Sequence, residues 1–225
     1  LVGGGSNPKP GDISRAHFGL LFLDELPEFS RHVLEVLREP LESGEITISR
    51  AARQATFPAK FQLIAAMNPC PCGYLGDKER TCICSQSQIE RYRAKISGPL
   101  LDRIDMHVEV SRIAYKELRT HSDHTESSSM VKQRVSDARD IQLSRNHGKT
   151  NAQLNNKEME LHLNISEKHL VLLESIVEEL KLSARAYHRI LKISRTIADL
   201  SNCQQIQRQH LLEAITYRFL DRVVN

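Results

Sequence analysis

The 225-residue sequence has no GxxxxGK[ST] phosphate loop, no tryptophan, no apolar run long enough to span a bilayer and no signal-peptide pattern. Without the first, nothing in these residues can cradle the β- and γ-phosphates of a nucleotide. Gly148-Lys149-Thr150 has the ending of such a loop, but Leu143 stands where its first glycine belongs. The lack of a membrane-length run and of a leader excludes a transmembrane reading and sets a cytoplasmic expectation. A large charge excess is missing too. The 31 basic groups exceed the 28 acidic ones by only three, which by itself does not argue for nucleic-acid binding. That small excess lies late in the chain: residues 111–225 carry 18 basic and 14 acidic groups, residues 1–110 carry 13 and 14.

What is present is an ordinary globular composition, 40% apolar and 26% charged, at a length that allows one large or two small domains with a real core. The chain opens on Leu1, in mid-motif, and reads as part of a longer protein. Its first eleven residues are a Gly/Pro/Asn stretch, expected to be a flexible loop.

The most informative stretch is Gly19-Leu-Leu-Phe-Leu-Asp24-Glu25-Leu. Four apolar residues running into two carboxylates predict a strand buried on both faces of a parallel sheet, with its acidic end where α/β sheets bind ligands. There one carboxylate can hold Mg²⁺ and its neighbour can polarise a water, the Walker B arrangement, with Asp24 on the metal and Glu25 as base. A strand ending in a solvated acidic turn gives the same pattern.

Downstream, Ser30 is a candidate N-cap for a helix carrying Val33, Leu34, Leu37 and Leu41, with Pro40 kinking or ending it. Residues 45–49 and 55–66 predict a hairpin whose returning arm feeds a buried strand at Phe61–Ala66. Arg50, Arg53 and Lys60 make that hairpin locally basic, which a solvated turn also explains. Asn68 ends the buried strand, where an amide can orient water between a phosphate and a base or simply form a turn. Arg103, in Ser97-Gly-Pro-Leu-Leu-Asp102-Arg103-Ile-Asp105, stands on a loop before an expected strand at Met106–Val110. An arginine there can reach a neighbouring subunit's phosphate or pair locally with aspartate.

Cys70-x-Cys72 and Cys82-x-Cys84 are two close thiol pairs, with Cys203 apart. Disulfides are not expected in a reducing compartment. Four thiolates can form a tetrahedral Zn²⁺ site, although C-x-C is tighter than the usual C-x₂-C; four free thiols are the alternative.

From Ser111 the chain turns polar, and residues 111–126, with His121 and His124, read as a linker. Four helices are expected beyond it. Met130–Asn146 has Val131, Val135, Ala138 and Ile141 on one face. The second runs from a Ser166 cap through Leu180. Ser183–Leu200 has Ala186, Ile190, Ile193 and Ile197 inward, with Arg185, Arg189, Lys192 and Arg195 scattered around it, and Gln207–Leu220 closes the set.

Taken together, the order and type of these segments resemble the AAA+ ATPases of the magnesium-chelatase-like branch, specifically the ComM/YifB competence-protein family. The resemblance is carried by residues 11–29 around Asp24-Glu25, by Met67-Asn68-Pro69-Cys70-Pro71-Cys72-Gly73 and by Ile96–Asp105. It implies an α/β fold, an incomplete AAA+ P-loop-type core over residues 1–110, followed by an all-α helical lid over residues 127–225. It also implies that Asn68 is sensor 1, Arg103 the arginine finger and Arg185, in Leu182-Ser-Ala-Arg185-Ala, sensor 2 on the nucleotide. The Gly-rich opening becomes the tail of the helix-two insert, and residues 45–60 the pre-sensor-1 hairpin, with Arg50, Arg53 and Lys60 facing DNA. The family's amino-terminal domain and Walker A are absent from these residues. The implied parent is a hexameric, ATP- and Mg²⁺-dependent helicase that promotes branch migration during integration of transforming DNA, a homo-oligomer with DNA as partner and no membrane. A chelatase-type or MoxR-like protein-remodelling ATPase, or a zinc-stabilised interaction module, are the other readings.

Overall fold

The structure, a computed structural model, describes residues 1–4, 8–50, 53–112 and 126–222. It is mixed α/β and ends in a helical region. The chain divides into two compact units, Leu1–Ile104 and Asp105 onward. Residues 5–7, 51–52 and 113–125, the last including His121 and His124 of the expected linker, lie outside the described residues. Among the described residues no helix is long and apolar enough to cross a membrane.

In the first unit the glycine-rich opening is more ordered than expected. Strands β1 (Gly3–Gly4) and β2 (Lys9–Pro10) pair antiparallel. Gly3 sits at φ +95°, and a Cβ there would come 2.0 Å from the Lys9 carbonyl, so the pairing needs a residue without a side chain. A short helix α1 (Asp12–Arg15), which buries Ile13, leads to β3 (Leu20–Leu23).

Helices α2 (Arg31–Val36) and α3 (Arg38–Ser43) come next. The Ser30 hydroxyl accepts the Val33 N–H, the N-cap expected from the sequence. The break falls at Leu37, a turn before Pro40. Proline has no N–H for the Val36 carbonyl, so the first helix stops there and Pro40 sits in the first turn of the next. Gly44, left-handed at φ 75°, ends α3.

Strands β4 (Glu45–Arg50) and β5 (Arg53–Pro58) form the expected antiparallel hairpin. Period-two alternation buries Ile46 and Ile48 on one face and leaves a Thr47–Thr56 hydroxyl contact of 3.1 Å exposed. The chain then enters β6 (Gln62–Ala65), parallel to β3 with Leu20 opposite Gln62 and Leu23 opposite Ala65. Burial of β3 on both faces does not hold. Leu21 and Leu23 are buried, whereas Leu20 and Phe22 are 51% and 57% exposed, and β6 is likewise exposed at alternate positions. The pleat sends alternate side chains to opposite faces, and only one face is packed against described residues.

Helix α4 (Gln86–Arg93) starts at a capping box in which the Ser85 hydroxyl accepts the Gln88 N–H and the Gln88 side chain accepts the Ser85 N–H. A single turn, α5 (Gly98–Leu101), buries Leu100 and Leu101.

The second unit opens with a correction. Met106–Val110 is not a strand; it finds no ladder partner among the described residues, and Met106, Val108 and Val110 are exposed. Among the described residues its helices are α6 (Ser128–Arg145), α7 (Asn156–His162), α8 (Glu167–Glu179), α9 (Ala184–Leu200) and α10 (Arg208–Thr216), one more than expected. The extra one, α7, is short and starts at an Asn155–Glu158 capping box. Leu173, Ile190, Ile206, Leu211 and Ala214 centre the apolar core. Helix α6 buries Ala138 and Gln142, while Met130, Val131 and Val135 remain largely exposed, so its inward face is half polar.

Arg195 is not one of the outward basic residues. It is fully buried, and its guanidinium donates to Asp199 Oδ1 (3.1 Å) and to the carbonyls of Leu163 (3.2 Å), Gln204 (2.7 Å) and Cys203. Asp199 also accepts Arg145 at 2.6 and 3.0 Å and the Asn151 amide at 2.8 Å. Every donor of this buried charge meets an acceptor, which is the condition for a guanidinium in a core.

Candidate functional site

Because β3 and β6 are parallel, their carboxyl ends coincide, and three of the sequence-derived residues fall there. Asp24 and Glu25 leave β3; Asn68 lies shortly beyond β6. The two ends are tied by Ala66 N–H to Leu23 O and by Leu26 N–H to Ala66 O, each 2.9 Å. Glu25 is left-handed (φ 50°, ψ 46°), and its N–H donates to Asp24 Oδ1 at 2.8 Å. A non-glycine residue in that region carries about 1–3 kcal/mol of strain, and such outliers cluster at functional sites. Asp24, Glu25 and Asn68 are all exposed, so hard carboxylate oxygens and an amide face solvent at one sheet end, a donor set that suits Mg²⁺.

Tyr92, which the sequence did not point to, lies behind this edge. It is buried in α4, and desolvation raises its phenol above the ordinary range. A backbone hydrogen bond with Asn68 pulls the other way, and Glu28 and Glu25 add to the rise. The Tyr92 phenol thus lies beside the backbone of Asn68 at the edge that carries the carboxylates. Glu28 itself meets Lys95 at 3.1 Å in an exposed pair.

Arg103 follows α5 and folds back onto its own unit. Its Nε donates to Glu42 Oε2 at 3.1 Å, its Nη2 meets the same oxygen, and its Nη1 donates to Pro99 O at 2.8 Å. Its local partner is thus Glu42, rather than a neighbouring aspartate. Asp105 pairs with Arg189 in the second unit.

The basic group of the hairpin separates. Arg50 and Arg53 are paired at its tip, their side chains outside the described residues, whereas Lys60 lies at its base. There Ala59 N–H bonds Gly44 O, and the Lys60 N–H donates to His17 Nδ1 at 3.1 Å. Six residues of strand put roughly 20 Å between tip and base. Arg185, in the second unit, is exposed in the first turn of α9, where the Ser183 hydroxyl caps the Ala186 N–H at 3.1 Å.

The four paired cysteines converge. The sulfurs of Cys70, Cys72, Cys82 and Cys84 all lie within 4.8 Å of one another, with contacts of 3.4, 3.5 and 3.6 Å among the first three. A backbone hydrogen bond with Tyr74 holds the Cys72 thiol down at about 6, whereas desolvation, with the neighbouring sulfurs, pushes Cys84 up to about 12. At Cys82 the Cys84 backbone pulls downward, but desolvation and the Cys72 and Cys70 sulfurs leave it raised. The spread is what crowding of ionisable sulfurs produces, since each negative charge opposes the next.

The family described as magnesium chelatase, subunit ChlI, matches residues 1–118, and its C-terminal counterpart matches residues 125–218. The chain belongs to the magnesium chelatase subunit ChlI family. Over its whole length it is 53% identical to competence protein ComM of Haemophilus influenzae and 47% identical to YifB of Escherichia coli, covering 43% and 44% of those proteins. It is 25% identical over 153 residues to magnesium-chelatase subunit ChlI of Chlorella vulgaris, covering 68% of this chain and 35% of that protein. The chain therefore spans less than half the length of these relatives. The resemblance read from the motifs is to this family and, within it, to ComM- and YifB-type proteins.

Proposed function

We propose that the chain carries the Walker B edge and the helical lid of an ATP-driven ring motor that acts on DNA in competence. The observation that supports this reading is the convergence of Asp24, Glu25 and Asn68 on the shared carboxyl end of two parallel strands. Kinship with competence protein ComM supports the setting. Residues 1–110 are then the later part of an AAA+ core, 111–126 a linker and 127–225 the lid.

In this reading Asp24 holds Mg²⁺, which when bound supplies charge neutralisation at the triphosphate. Glu25, aimed by its left-handed backbone, accepts a proton from the attacking water, and the Asn68 amide orients that water. Arg103 acts from the next subunit of a hexameric ring on charge developing at the γ-phosphate, and Arg185 contacts the phosphates from the lid. Arg50 and Arg53, at the hairpin tip, are the DNA-facing residues. Lys60 at the hairpin base is left out of that group. Lacking a phosphate-cradling loop, these 225 residues are not expected to hydrolyse ATP by themselves.

The test is Glu25→Gln in the full-length protein. Nucleotide binding is retained and turnover stops, because the metal-side carboxylate survives and the base does not. Wild-type-like hydrolysis by that variant rejects the assignment. Similarity to the Chlorella chelatase subunit favours a second reading, a metal-chelatase or MoxR-like remodelling ATPase that does not act on DNA. ATPase activity stimulated by branched or single-stranded DNA separates the two; activity indifferent to DNA favours the remodeller.

A further inference from the structure

The loop between β6 and α4 poses a physical problem. Residues 71–84 contain no helix or strand and no fully buried side chain, and Ile83 is 85% exposed. Loops of this length without structure of their own are uncommon in compact domains unless something else orders them. Backbone entropy of about 1–2 kcal/mol per residue opposes a single conformation here, with almost no apolar burial to offset it. What the loop does have is four sulfurs brought to one point from its two ends.

We propose that Cys70, Cys72, Cys82 and Cys84 bind one structural Zn²⁺ as a closed tetrathiolate site. Zn–S bonds of about 2.3 Å in a tetrahedron place sulfurs about 3.8 Å apart. The recorded contacts of 3.4–3.6 Å, with all four sulfurs within 4.8 Å, bracket that edge length. They are far longer than a disulfide bond of about 2.05 Å. A soft all-sulfur donor set selects zinc or iron among common metals and disfavours magnesium or calcium. Backbone groups of Tyr74, Ile83, Cys84 and Cys72 hydrogen-bond to the sulfurs, the support that metal-bound thiolates receive from their surroundings. Four coordination positions filled by protein leave none for substrate, so the role is structural.

The position of the site gives it a consequence. Cys70 lies two residues past Asn68, and Cys84 directly precedes the Ser85 cap of α4. Arg93, at the far end of α4, donates to Pro69 O at 3.3 and 3.4 Å. The metal thus staples the end of β6 to the start of α4, and Asn68 stands beside the staple. The metal site does not depend on the ATPase reading, and its test does not use activity.

The full-length protein is purified under reducing conditions without added metal and analysed for metal content. About one zinc per chain is expected, falling to near zero in Cys72→Ser and Cys82→Ser and unchanged in Cys203→Ser, whose sulfur lies outside the cluster. Should the cysteine variants fail to fold, the unmutated chain is exchanged with Co²⁺, which is expected to show the intense visible bands of tetrahedral thiolate coordination. A folded protein free of zinc, with Cys70, Cys72, Cys82 and Cys84 reacting like Cys203 and no Co²⁺ bands, overturns the proposal. Iron in stoichiometric amount in place of zinc also overturns it.

Discussion

Arg103 sets both Nε and Nη2 on one carboxylate oxygen of Glu42, sixty-one residues earlier in the chain. The arginine is 12% exposed and the glutamate 54%, so water reaches one side of the pair. That exposure discounts its contribution to stability to about 1 kcal/mol or less. Arg103→Ala is therefore expected to change the melting temperature little. As a finger acting in trans, the same substitution should lower full-length ATPase turnover roughly 10³-fold while nucleotide affinity stays near normal. Glu42→Gln, which keeps the arginine, is expected to lower turnover less than about tenfold. Steady-state rates and a nucleotide titration of both variants check this.

Mixing supplies the sharper version. Arg103→Ala and Glu25→Gln proteins are each expected to be inactive, yet a mixed ring contains interfaces that pair an intact Glu25 with an intact Arg103. Activity recovered on mixing, once subunit exchange is demonstrated, is the expected outcome. Exchange without recovery places Arg103 in a purely local role with Glu42.

The left-handed backbone of Glu25 makes a separate prediction about stability. Glycine adopts that conformation freely and alanine does not, so Glu25→Gly is expected to be more stable than Glu25→Ala by about 1 kcal/mol. Both variants lose the carboxylate, so both are expected to lose turnover. Paired denaturant melts measure the difference, and equal midpoints would show that residue 25 is not held left-handed.

Asp199 is the counter-charge for the buried Arg195 and for Arg145. Asp199→Ala leaves a guanidinium in the core with no anion, and a loss of about 3–5 kcal/mol is expected. Because the network lies in the helical unit, the loss should appear in its unfolding transition. A loss below 1 kcal/mol would mean that the carbonyls of Leu163, Gln204 and Cys203 suffice for Arg195.

Tyr92→Phe keeps the ring and removes the hydroxyl that meets the Asn68 backbone. A decrease of about 1 kcal/mol in stability is expected.

Much of this was legible in the sequence, for reasons that differ by element. The strand before Asp24, the hairpin through residue 58 and the Ser30 cap rest on local rules, alternation and side-chain capping, and local rules are written in short windows; Ser166 also stands at the expected N-cap of α8, but its side chain makes no capping hydrogen bond. The convergence of the two cysteine pairs was one of two readings that their spacing left open. Partners set by tertiary contact were not legible. Nothing near Arg103 announces Glu42, and nothing in α9 distinguishes Arg195, which is buried, from Arg185, which is exposed. Met106–Val110 has strand composition, but a strand also needs a neighbour. The break expected from Pro40 is present, and it falls at Leu37 because a proline acts on the carbonyl one turn earlier.

Tyr92 has an optical consequence. These residues hold five tyrosines and no tryptophan, and among the described ones Tyr92 is the tyrosine whose hydroxyl lies against the backbone of Asn68. Subtracting the Tyr92→Phe spectrum isolates that one emitter from the rest. Its intensity is then expected to follow the candidate site without an attached dye, so a titration with Mg²⁺ can be read from the protein's own light.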